Sequence, residues 1–101
     1  MEPSWELYGT FLQVMREGSL SGAARVLQVA QPTVRRRVEA LEEQLGATLF
    51  ARAPNGLIAT EAAHTLLPFA TTMEATARAS VRSLADVDAV AGTVRLTTSE
   101  V

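Results

Sequence analysis

The stretch Gln31-Pro32-Thr33-Val34-Arg35-Arg36-Arg37-Val38-Glu39-Ala40-Leu41-Glu42-Glu43-Gln44-Leu45-Gly46 decides how this chain is read. Val34, Val38, Leu41 and Leu45 are spaced 4, 3 and 4, which is the single apolar stripe of an amphipathic helix. Proline is welcome in a first helical turn, and Gly46 suits the stop. Counting about 100° per residue, Pro32 and Arg36 point almost directly away from the stripe, with Thr33, Arg35 and Arg37 flanking them. The arginines occupy the N-terminal half and Glu39, Glu42 and Glu43 the C-terminal half. Acids at a C-terminus oppose the helix dipole, so propensity alone does not explain that order. A helix pushed tip-first into a DNA groove explains it, because the acidic half stays outside. A solvated face carrying Arg–Glu pairs, such as Arg35–Glu39 at i,i+4, is the competing explanation.

The neighbours favour the first explanation. Upstream, a helix is expected from Trp5 to Glu17, with Ser4 as N-cap, Leu7, Phe11, Val14 and Met15 on one face, and Gly18 as terminator. A short helix starting near Ser21 then carries Ala23, Ala24 and Leu27 inward, and a break at Gln28–Ala30 leads to Gln31-Pro32. A short helix, a tight break and a longer helix with an outward basic tip make a helix-turn-helix. Downstream, Leu49 to Ala59 reads as a hairpin, its Asn55-Gly56 pair favouring a primed turn. The expected fold is mainly α: a winged helix-turn-helix of three helices plus a β-hairpin wing. The wing offers only Arg52 and Asn55.

A long helix follows, with Thr60 as N-cap and Glu61 favourable in its first turn. It can continue to about residue 90, or about 45 Å. Positions 66, 70, 73, 77, 80, 84, 87 and 91 read Leu, Ala, Met, Ala, Ser, Leu, Val, Ala, the alternating spacing of a coiled-coil seam. A domain of about 60 residues cannot bury such a rod. A partner helix is therefore expected, from a second copy or from a missing part of the same chain. The candidate dimer interface is Leu66, Ala70, Met73, Ala77, Val81, Leu84 and Val87. Pro68 forfeits a hydrogen bond and predicts a kink. Gly92 closes the helix, and Thr93 to Thr97 reads as a strand, so the chain has the look of a fragment.

Composition narrows the function classes. The 101 residues hold no cysteine and one histidine, His64, which removes disulfides, thiolate metal sites and cysteine nucleophiles. His64 reads as a linker residue, and Trp5, Tyr8 and Phe11 as helix packing. No signal peptide opens the chain, and no run approaches the roughly 18 apolar residues of a membrane span. The expectation is a soluble, cytoplasmic protein that is not an enzyme and holds no metal. The net charge of −2 hides an uneven distribution. All nine basic residues are arginines, three of them consecutive, and the excess acidity lies after residue 60.

Taken in order, these residues resemble the N-terminal region of LysR-type transcriptional regulators. The landmarks are Phe11, Glu17-Gly18-Ser19-Leu20, Ala23-Ala24-Arg25-Val26-Leu27, Gln31-Pro32-Thr33-Val34, Leu41-Glu42, Leu45-Gly46, Leu49-Phe50-Ala51-Arg52, Thr60-Glu61-Ala62, Leu66-Leu67-Pro68 and Gly92-Thr93-Val94-Arg95-Leu96. The resemblance implies a homodimer joined through linker helices, within a regulator that often assembles as a tetramer. It implies binding to a pseudo-palindromic site in double-stranded DNA. It divides the chain into a DNA-binding domain at 1–60 (helix-turn-helix about 20–39), a linker helix at 61–91, and the hinge and first strand of a missing effector domain at 92–101. That effector domain would bind a small-molecule inducer; no cofactor is implied in the fragment itself. By position, Gln31, Pro32 and Thr33 fall where the family meets base edges. Arg35 and Arg36 fall at further contact positions, Arg52 at the base of the wing, and Arg37 and Asn55 complete the candidate DNA-binding set.

Four departures stand out. Ala30 replaces the usual serine before Gln-Pro, Arg35 replaces a small hydroxyl residue, the wing is nearly neutral, and Ala63 replaces a glycine. A helical protein-interaction or dimerisation module with weak or lost DNA binding is the alternative reading, supported by that wing and the net acidity.

Overall fold

The computed structural model describes residues 2–91, with side chains described as far as residue 87. Its elements run α1 (Trp5–Glu17), α2 (Leu20–Leu27), α3 (Gln31–Leu45), β1 (Phe50–Ala53), β2 (Gly56–Ala59) and α4 (Glu61–Ala91). The bounds of α1 and α3 are those the apolar periodicity predicts. The expected strand at 93–97 lies outside the described residues.

Helices α1, α2 and α3 pack on one another around two apolar clusters. In the first, Leu7, Phe11 and Leu12 of α1 meet Leu41, Leu49, Ala63 and Ala70. In the second, Val14 meets Ala23 and Ala24 of α2 and Val34 and Val38 of α3. Phe50 packs against both clusters, its ring centroid 5.8 Å from that of Phe11. Phe11 is wholly buried, and truncating such a ring to alanine costs about 3–5 kcal/mol.

Three local devices hold the connections. Ser4 does not cap α1 through its side chain; its carbonyl instead accepts from the amides of Leu7 and Tyr8. The hydroxyl of Thr60 accepts from the amide of Ala63, as expected of an N-cap, and donates to the carbonyls of Thr48 and Leu49. The Glu42 carboxylate accepts from the amides of Leu49 (2.7 Å) and Phe50 (3.3 Å), fixing the entry to β1.

The wing pairs Phe50 with Ala59, Ala51 with Ile58, Arg52 with Leu57 and Ala53 with Gly56. Its two loop residues are therefore Pro54 and Asn55, and the expected primed Asn-Gly turn does not form. Proline cannot take the positive φ a primed turn demands, Asn55 does not take it, and Gly56 adopts φ 126° instead.

Contacts divide the chain into two units, Met1–Thr71 and Thr72–Val101. The division falls inside α4 rather than at residue 60, because the first turns of α4 belong to the helical core. Ala63 and Ala70 are wholly buried there, and Leu66 and Leu67 are packed against them. Ala70 is thus turned into its own unit and does not line an open seam, which corrects one of the expected interface positions, while Leu66 is half-buried against the same core. The helix runs through Pro68 without interruption. In the second unit, Met73, Ala77, Val81, Leu84 and Val87 are exposed.

Gln28 closes α2 in the left-handed region, at φ 59° and ψ 45°, where α1 and α3 use Gly18 and Gly46. The amide of Val29 bonds back to the carbonyl of Ala24 and completes a Schellman turn. A side chain in this region costs roughly 1–2 kcal/mol, whereas a glycine adds up to about 1 kcal/mol of unfolded-state entropy. Gln28→Gly is therefore expected to stabilise the fold by about 0.5–1 kcal/mol, read as a rise of a few degrees in Tm. A lower Tm would show that the Gln28 side chain makes a contact of its own.

Candidate nucleic-acid interface

The three consecutive arginines have three different fates. Arg36 is exposed together with Gln31 and Pro32, on the side of α3 opposite Val34, Val38 and Leu41. Arg35 and Thr33 are half-buried. Arg37 turns toward α1, where its Nη2 lies 3.4 Å from Glu6 Oε2 and its Nη1 donates to Thr10 Oγ1 at 3.5 Å. Thr10 is 1% exposed, and its single hydroxyl proton goes to the carbonyl of Glu6 at 2.9 Å. A lone pair is left for the guanidinium. The side chain of Arg37, 22% exposed, thus joins α3 to α1. Of the residues expected to contact DNA, Arg37 thus has its guanidinium directed toward α1, by Glu6 and Thr10.

Neither Arg35, Arg36 nor Arg52 is ion-paired among the described residues. The Arg35–Glu39 pair that would make α3 a merely solvated helix does not form. Ala30 precedes α3 with extended backbone and no side-chain cap, and Pro32 stands in the first turn. On the wing, Asn55 is exposed at the turn and Arg52 is exposed on β1. Sequence reasoning missed the role of Glu42, counted there as one acid among three and as part of the Leu41-Glu42 landmark. Its place one turn before Gly46, with a loop to anchor beyond, was the available signal.

The bacterial regulatory helix-turn-helix proteins of the lysR family have a sequence model that matches residues 5–64, the span from the start of α1 into α4. The chain belongs to the LysR family. Among curated relatives of this LysR-family chain, the HTH-type transcriptional regulator HdfR of Escherichia coli is 40% identical over 80 residues, which is 79% of this chain and 29% of the relative. The chain thus spans less than a third of HdfR. Among solved structures, the CbnR DNA-binding domain in complex with DNA superposes with a TM-score of 0.72 at 33% identity, covering 83% of this chain and 98% of that one. The BenM DNA-binding domain bound to catB site 1 DNA gives 0.79 at 26% identity, with 83% and 94% covered. The family is one of regulators, not of enzymes. Among the described residues no group of acids and histidine is placed to hold a metal, and no helix is long and apolar enough to cross a membrane.

The different fates of the arginines can be separated by stability alone. Arg37→Ala removes an ion pair, a hydrogen bond and the packing of the arginine stem, and is expected to cost about 1 kcal/mol. Arg36→Ala removes no internal partner and should stay within about 0.5 kcal/mol of the parent. Urea denaturation of both variants makes the comparison. Equal losses would contradict the placement of Arg37.

Proposed function

We propose that this chain is the DNA-binding region of a transcriptional regulator that binds a pseudo-palindromic site in double-stranded DNA as a homodimer. The observation that carries the reading is the division of α3. Val34, Val38 and Leu41 of its apolar stripe are buried in the core and Leu45, the last of the stripe, is exposed, while Gln31, Pro32 and Arg36 stand exposed at its N-terminal tip. An α-helix fits the major groove, where an arginine fork pairs with guanine and apolar atoms meet thymine methyls. In this arrangement Arg36 reads a base edge, Gln31, Pro32 and Thr33 lie alongside it, and Arg35, Arg52 and Asn55 serve the backbone.

Dimerisation is assigned to α4. Met73, Ala77, Val81, Leu84 and Val87 recur every three or four residues along one side of the helix and are exposed, with Val81 and Leu84 each 68% accessible. Phe69, 65% exposed, is added here to the set expected from sequence. Apolar surface of this extent calls for a partner, and a second copy supplies it. The inducer site and any tetramer contacts belong to the remainder of a longer protein, working in the cytoplasm.

Selection from a randomised duplex pool at increasing salt tests the reading. A dimeric regulator gives a steep salt slope and enriches an inverted repeat; weak, salt-insensitive retention would support a protein-interaction module instead. Arg36→Ala is expected to lose about 1–3 kcal/mol of discrimination at one position of each half-site. A uniform loss across sequences would make Arg36 a phosphate contact. Val81→Asp combined with Leu84→Asp should weaken self-association by about tenfold or more in sedimentation, roughly 1.4 kcal/mol or above. An unchanged dimer would remove α4 from the interface.

A further inference from the structure

We infer that Arg35 and Arg52 grip one backbone phosphate of the bound duplex between them. Its seat is the cleft bounded by the start of α2, the start of α3 and the wing. The inference rests on the DNA-binding reading above and names a contact within it.

Two independent features of the chain bring these arginines together. On α3, Arg35 occupies the flank opposite the one from which Arg37 reaches α1. On β1, side chains alternate faces, so Arg52 shares a face with Phe50. Its cross-strand partner is Leu57, and both Phe50 and Leu57 pack onto the helical core. Arg52 therefore leans toward α3 rather than toward the outer side of the wing, where Ala51 and Ile58 lie. Arg35 and Arg52 both line a cleft of about 340 Å³, together with Ser19, Ser21 and Gln31. Water occupies about 30 Å³ in the liquid, so the cleft accommodates a phosphate group and part of its hydration.

The charge in the cleft lacks a balancing partner. Glu39 and Glu42 border a smaller depression that the same two arginines also line, but neither is ion-paired with them among the described residues. The Glu42 carboxylate is engaged by the amides of Leu49 and Phe50, and Glu39 is exposed one turn along α3. Two like charges sharing a recess repel, and an anion seated between them turns that repulsion into two attractions. Hydroxyl donors are also at hand. Ser19 Oγ accepts from the amide of Gly22 at 3.0 Å and lies 3.4 Å from Ser21 Oγ. That pair uses one hydroxyl proton and leaves the other for an incoming oxygen.

A phosphate suits this site better than a base edge. Of the exposed α3 tip, Gln31 lines the cleft, while Pro32 and Arg36 are not part of its wall. Arginine forks match phosphate oxygens bidentately. A single recess lined by both side chains favours one shared phosphate over two separate ones.

Retention on randomised duplex DNA, measured against salt for the parent, Arg35→Ala, Arg52→Ala and the double variant, provides the test. In a homodimer each substitution sits in both half-sites, so losing one phosphate contact per subunit lowers the log–log slope by about 1.8. The expected result is the same fall of about 1.8 in all three variants, uniform across the selected sequences. An additive fall of about 3.6 in the double variant would assign each arginine its own phosphate and overturn the shared grip. A loss confined to one base position would make one of them a base reader, with the same consequence. Unchanged slopes, with inorganic phosphate binding to the DNA-free chain, would make the cleft a site for free anions and refute the contact. A parent chain with no salt-dependent retention would fail the DNA-binding reading itself, an outcome separate from any difference among variants. Thermal melting verifies folding, and Arg→Gln replacements at both positions repeat the comparison if an alanine variant melts early.

Discussion

The apolar stripe of α3 is the constraint on which the rest of the domain depends. Val34 and Val38 enter the cluster shared with α2, and Leu41 enters the cluster shared with α1, the loop after α3 and the start of α4. One helix thereby crosses both parts of the core, and its rotation about its own axis is set by packing. Interiors at crystalline density resist small rotations, so the opposite face is presented at a fixed angle. The Glu42 carboxylate extends this control to the wing by holding the amides of Leu49 and Phe50. Phe50 then locks the wing onto both clusters, and the Thr60 hydroxyl ties the start of α4 to the same loop.

Much of this was legible in the sequence because periodicity and terminators agreed. Helices α1 and α3 each carry a stripe at helical spacing followed by a glycine, and both run over the residues those signals mark. The break around Gln28 was legible for a different reason, as the gap between two periodic segments. What periodicity could not supply was the identity of neighbours. Arg35 and Arg37 flank the α3 stripe on opposite sides, and no local signal says which flank faces α1. Only the tertiary arrangement brings Thr10 and Glu6 within reach of Arg37.

The same limitation explains the seam of α4. Leu66, Ala70, Met73 and Ala77 fit one heptad pattern, yet the first two pack into the helical core and the last two are exposed. A wide apolar surface on a long helix can serve two neighbours in succession, and spacing alone reads it as one interface. The wing turn failed for a local reason. Asn55-Gly56 suggested a primed turn, but Pro54 restricts φ one residue earlier and the register places Gly56 in the strand. The candidate site was legible as residue types on a helix tip; which cations stay available was not.

The commitment of Arg37 to α1 has a consequence for how such a domain would search a genome. Each phosphate contact strengthens attachment to every sequence alike, and a chromosome offers an enormous excess of wrong sites. A cation paired with a carboxylate of its own domain contributes less to that indiscriminate attraction, and a chain of net charge −2 has little of it to spare. Time spent on the wrong sequence shortens, while the contacts that distinguish the right one are untouched. An internal tether between two helices thus lowers background occupancy without entering the groove.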